Sequence, residues 1–154
     1  MTSKQKWILV LAAMAAFMTS LDALVVTTAL STIQRDLGAS VEELEWTVNA
    51  YNLSFAVLLM TAAALGDRLG RRRVFVAGIG LFVAASAACA VAPSVGALIA
   101  ARAIQGAGAA AVTTLALALV GAAFPPARRG AALGICFAVN GLAVAGGPLV
   151  GVAI

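Results

Sequence analysis

"FMTSLDALVVTTAL", residues 17–30, sets an aspartate into a run otherwise fit for hydrocarbon. The apolar stretch reaches back to Trp7, which gives it the length of a membrane-crossing helix, about 20 residues. A carboxylate at the centre of an isolated spanning helix costs about 2.5–3.5 kcal/mol on insertion scales. Asp22 must therefore be stabilised by the rest of the protein, and a residue retained at such cost points to use.

The composition around this stretch agrees with a membrane setting. Of the 154 residues, 63% are hydrophobic and only 10% charged, and the mean hydropathy is +1.06, far outside the range of a soluble domain. Of the 10 basic and 6 acidic residues, all but Asp22 and Arg102 fall at the ends of apolar runs or between them. The net charge of +4 is thus a topology signal; no interleaved aromatics point to nucleic acid as a partner. Histidine is absent, and Cys89 and Cys136 each stand alone inside an apolar run. That pattern excludes His-based catalysis, offers no metal-binding cluster, and leaves both cysteines as small packing residues. Lys4 and Lys6 precede the first apolar run as in a signal peptide, but the run is too long, and an uncleaved anchor fits better.

Five segments have spanning length: 7–30, 41–65, 74–92, 95–123 and 131–154. Ser40 and Glu43 have the spacing of a capping box at the start of the second, and Trp46 stands where an interfacial aromatic belongs. Lys and Arg set the orientation. Lys4 and Lys6, then Arg68, Arg71, Arg72 and Arg73, then Arg128 and Arg129 occupy the N-terminus and alternate connections, whereas the first intervening loop has Arg35 alone among Asp36, Glu42, Glu43 and Glu45. The N-terminus is accordingly expected in the cytoplasm. The chain stops inside the apolar run "GGPLVGVAI" with no polar flank, which reads as the first part of something larger.

The two charges inside the spans fall at similar depth. At about 1.5 Å per residue from Trp7, Asp22 lies roughly 22 Å along its helix, a little under 10 Å from the far edge of a core about 30 Å thick. Span four runs the opposite way from Val95, which puts Arg102 about 10 Å below the same edge. Intramembrane ions usually face a bundle interior or a wet cavity, and often pair. A proton site on Asp22, tuned by the guanidinium and by desolvation, is one reading; a static ion pair fixing helix register, or an Arg102 that snorkels outward, are others. Asn49, Tyr51 and Asn52 in span two, Gln105 in span four and Asn140 in span five add sparse polar groups that either line a pathway or bond helix to helix.

Three motifs then carry a resemblance: "AAALGDRLGRRRVF", residues 62–75, "LIAARAIQGAGAA", residues 98–110, and "AVAGGPLVGV", residues 143–152. In this order and at these distances they resemble the signature motifs of the major facilitator superfamily, and "LDALVVTTALS", residues 21–31, resembles the first-helix motif of its fourteen-span drug:proton antiporter branch. On its own physical logic, Asp67 can sit near the N-terminus of the next helix, where the macrodipole favours a carboxylate. Gly70 permits a tight turn, and the arginines meet lipid phosphates. The resemblance makes Asp67, Gly70 and Arg71 conformational gate residues, implicates Arg102 in proton transfer with an acidic partner, and marks Gly147, Pro148 and Gly151 as antiporter-motif packing residues.

The fold implied is an all-α membrane protein, the first five transmembrane helices of a major-facilitator-type bundle whose remaining helices lie elsewhere. In that scheme spans one and four are equivalent helices of two inverted repeats, and both line the cavity. The function implied is proton-coupled efflux of amphipathic or cationic drugs. The proton is the coupling ion, with no other cofactor; the partners are a small-molecule substrate, the lipid bilayer and the remaining helices. A carrier of another metabolite and a short non-transporting membrane protein are the rival readings. An enzyme is not expected, because no nucleophile stands beside a base. Ala and Arg richness points to a bacterial inner membrane.

Overall fold

The computed structural model describes the backbone of residues 1–153 and the side-chain surroundings of residues 1–146. Five helices follow one another: α1 (Ser3–Leu37), α2 (Val41–Leu69), α3 (Arg71–Ala90), α4 (Val95–Ala123) and α5 (Pro126–Ala153). Each contains a described stretch long and apolar enough to cross a membrane. The protein is an integral, multi-pass membrane protein.

Most of these helices overrun the apolar segments from which they were expected, and at the start of α1 a polar cap continues the helix past the apolar run. α1 begins at Ser3 instead of Trp7: the Thr2 hydroxyl accepts from Gln5 N at 3.3 Å, and the Gln5 side chain accepts from Thr2 N at 3.0 Å. Ser40 and Glu43 close the same reciprocal box on α2, at 3.2 and 2.9 Å. Each box satisfies two N–H groups that a helix start would otherwise orphan. α1 ends on Gly38 in the left-handed region, φ 62°.

The interval between the second and third spans is not a loop. α2 runs to Leu69 and α3 starts at Arg71, so Gly70 alone reverses the chain, at φ 100°. An L side chain rarely adopts that angle. Arg71, Arg72 and Arg73 thus form the first turn of α3, where the helix dipole disfavours cations. Their presence at the wrong end of a helix is a sign that the membrane surface, and not the helix, selects them. The third span is displaced from its expected bounds: α3 starts at Arg71, three residues before Val74, and ends at Ala90, two before Ala92.

α4 is the axis of the bundle, packing most extensively against α2 and α3, while α1 packs against α4 and α5. In lipid no hydrophobic force drives helices together, so close van der Waals approach has to do it, and small residues permit that approach. Gly106 and Gly108 face opposite neighbours. A Cβ at Gly106 would overlap the Tyr51 carbonyl of α2; one at Gly108 would lie 2.8 Å from Phe82 N and 3.0 Å from the Gly78 carbonyl of α3. Ala109, Ala110 and Val112 are completely buried beside them. Outward faces carry large apolar side chains such as Met14, Phe17, Leu53, Val57 and Met60, as lipid or further helices require.

Two hydrogen bonds fasten the basic end. Gln5 Nε2 donates to the Ala123 carbonyl at 2.8 Å, and Arg71 Nη1 donates to the Ala118 carbonyl at 3.4 Å. With Asp22 meeting Arg102 near the other end, α1 and α4 run antiparallel. Gly147, Pro148 and Gly151 lie outside the residues whose packing is described; their backbone belongs to α5.

Candidate functional site

Ser94 starts α4 by accepting from Ala97 N at 3.3 Å, and this start fixes the face on which the next turns point. Arg102 and Gln105, three residues apart, share one side of the helix. Both are buried, at 2% and 0% exposure. Opposite them on α1, the Asp22 side chain is 15% exposed. Arg102 Nη1 donates to Asp22 Oδ2 at 2.6 Å and to Gln105 Oε1 at 2.8 Å, and Gln105 Nε2 donates to Asp22 Oδ1 at 2.7 Å. The three side chains close a ring in which each carboxylate oxygen has its own donor.

α2 supplies the other wall. Arg102 Nε donates to the Thr47 carbonyl at 3.4 Å, and the guanidinium carbon stands 4.2 Å from the centre of the Tyr51 ring. Tyr51 is itself stacked on Phe55, with centroids 6.3 Å apart and planes 7° from parallel. From α3, Cys89 Sγ donates to Gln105 Oε1 at 3.6 Å. Four helices therefore converge on one ion pair. Such a pair is costly to desolvate unless its remaining hydrogen-bonding groups are also met, and here the Gln105 amide takes Asp22 Oδ1 and the Thr47 carbonyl takes Arg102 Nε. Chemically the site can hold a carboxylate next to a buried, permanently charged guanidinium that has further acceptors in Gln105 Oε1 and the Thr47 carbonyl.

Other residues singled out in the sequence stand apart. Asn49 and Asn52 are exposed on α2, away from the ring of bonds around Asp22. Asn140, half-buried on α5, accepts from the Ser20 hydroxyl of α1 and so ties those two helices together two residues before Asp22. Asp67 and Arg71 form an exposed bridge of 3.1 Å across the Gly70 turn; exposed pairs of this kind contribute about 0–1 kcal/mol. Sequence reasoning did not single out Thr47, and it gave Tyr51 and Cys89 no contact with the ion pair. The placing of Tyr51 four residues after Thr47, on one helix face, was the available signal for the first two.

The family model of the Major Facilitator Superfamily matches residues 12–154. Among similar proteins, the multidrug resistance protein Stp of Mycobacterium tuberculosis is 44% identical over 152 residues, covering 98% of this chain and 28% of that protein. The tetracenomycin C resistance and export protein of Streptomyces glaucescens is 40% identical over 139 residues, 90% of this chain and 26% of its own. The puromycin resistance protein of Streptomyces alboniger is 43% identical over 146 residues, 94% and 29%. The chain belongs to the major facilitator superfamily, and it spans less than a third of the length of these relatives.

Proposed function

We propose that the protein exports amphipathic or cationic drugs by proton-coupled antiport, as a member of the fourteen-span branch, working together with further helices that complete the bundle. The observation that carries this reading is the buried ring of Asp22, Arg102 and Gln105 between α1 and α4. Protonation of Asp22 favours one state of the transporter and substrate binding favours the deprotonated form, so exchange follows from differential affinity for two conformations. The names of the relatives, which speak of multidrug, tetracenomycin C and puromycin resistance, support drugs as the substrate class. Transport needs no bond-making chemistry and no cofactor beyond the proton.

In this reading the basic end, with Lys4, Lys6, Arg68, Arg71, Arg72, Arg73, Arg128 and Arg129, faces the cytoplasm of a bacterial inner membrane. Asp67, Gly70 and Arg71 act as a gate there: a bridge too weak to hold the fold is suited to exchange partners as the bundle rocks. The test is gradient-driven export in everted vesicles carrying the full-length protein. Asp22→Asn keeps the shape and the Gln105 contact and removes the titrating group, so accumulation driven by an imposed proton gradient falls to that of empty vesicles. Wild-type accumulation by Asp22→Asn would reject proton coupling through this residue.

A further inference from the structure

Arg102 reaches Asp22 with one nitrogen. Nη1 is shared between Asp22 Oδ2 and Gln105 Oε1, and Nε is directed to the Thr47 carbonyl. A guanidinium free to rotate prefers to meet a carboxylate with two parallel N–H donors. The second carboxylate oxygen is taken by Gln105 Nε2, and the Tyr51 ring, 4.2 Å from the guanidinium carbon, lies where it can keep the guanidinium in the orientation that leaves that oxygen to the amide. The ring cannot turn aside easily: Tyr51 is 7% exposed, packs with Phe82 and Ala109, and is stacked on Phe55.

We propose that Tyr51 is a positioning residue for proton coupling: its ring face holds Arg102 in the plane that gives Asp22 a single guanidinium bond. The inference rests on the antiport reading given above. Two charged donors would grip the carboxylate more tightly than the one charged donor and one neutral amide that it has. The ring serves the second half of the cycle as well. When Asp22 is neutral, Arg102 remains charged and buried, and the face of Tyr51, the Thr47 carbonyl and Gln105 Oε1 are then its partners. A cation on an aromatic face is attracted by the ring quadrupole, more strongly where water is excluded.

Among the described residues, Arg102 and Gln105 from α4 bond to Asp22, and these two in turn meet the Tyr51 ring and the Thr47 carbonyl from α2 and Cys89 from α3. All other charged residues stand at helix ends or connections. Among the described residues, a change at Tyr51 therefore reaches Asp22 through Arg102.

The experiment is the pH profile of gradient-driven export by the full-length protein, with Tyr51→Phe, Tyr51→Leu and Asp22→Asn in the same membranes. Phe keeps the ring face, and its profile is expected to superimpose on wild type. Leu removes the face and frees the guanidinium to displace Gln105 from Asp22 Oδ1, which exchanges a neutral donor for a charged one and displaces the profile to lower pH by about one unit. Should Tyr51→Leu fail to accumulate in the membrane, pentafluorophenylalanine at position 51 keeps the ring's shape, reverses the charge of its face, and is expected to give the same displacement. If the variant without a favourable face keeps the wild-type profile while Asp22→Asn is inactive, the positioning role is overturned and the antiport reading stands. If Asp22→Asn is active, the antiport reading falls and takes this role with it.

Discussion

Arg102→Ala is expected to lower the stability of the bundle by about 3–5 kcal/mol, the cost of removing one partner from a buried ion pair. The arginine is 2% exposed and joins its own helix to α1 and α2, so its loss leaves Asp22 Oδ2, Gln105 Oε1, the Thr47 carbonyl and the Tyr51 face without the group that joins them. Most of that cost comes from the abandoned partner and not from the bond itself. Adding Asp22→Asn should therefore recover part of it, a coupling visible in a double-mutant cycle of thermal unfolding in detergent. Purely additive losses would mean that the two charges do not depend on each other.

Gly108→Leu is the second large effect. A Cβ there already stands within 3.0 Å of backbone atoms of Phe82 and Gly78, and backbone cannot move aside as a flexible side chain does. The remaining carbons have no room between α3 and α4, the helices must separate, and the cost is about 1–3 kcal/mol or more. Gly108→Ala should show a smaller loss of the same kind. Gly134→Leu is the control, because none of the described residues lies within 4 Å of a Cβ at that position. The readout is the yield of monodisperse protein after extraction together with its unfolding temperature. Equal behaviour of Gly108→Leu and Gly134→Leu would contradict the close approach of α3 and α4.

The sequence made some of this geometry readable and hid the rest for definite reasons. Five apolar runs give five helices because in hydrocarbon every backbone group has to be bonded within its own segment. Asp22 and Arg102 can be brought together on paper because depth depends only on residue count and direction. What depth does not give is rotation about the helix axis. Whether Tyr51 or Asn52 faces α4 differs by one residue, about 100° of turn, and only the packing of α2 on Gly106 decides for Tyr51. Asn49 and Asn52 are exposed for the same reason. The polar cap at Thr2 explains why α1 begins before its apolar run, and the Gly70 turn is tighter than the intervening arginines imply because φ 100° at one residue suffices to reverse the chain.

Proton release on substrate binding tests the central claim most directly, since it needs neither a gradient nor a turning cycle. Purified full-length protein in weakly buffered detergent is mixed with a cationic drug while the pH of the medium is followed. Wild type should release protons as the drug binds, and Asp22→Asn should bind the drug and release none. Release of the same size from both would show that the titrating group is not Asp22, and the buried pair with Arg102 would then be a structural fastening between α1 and α4.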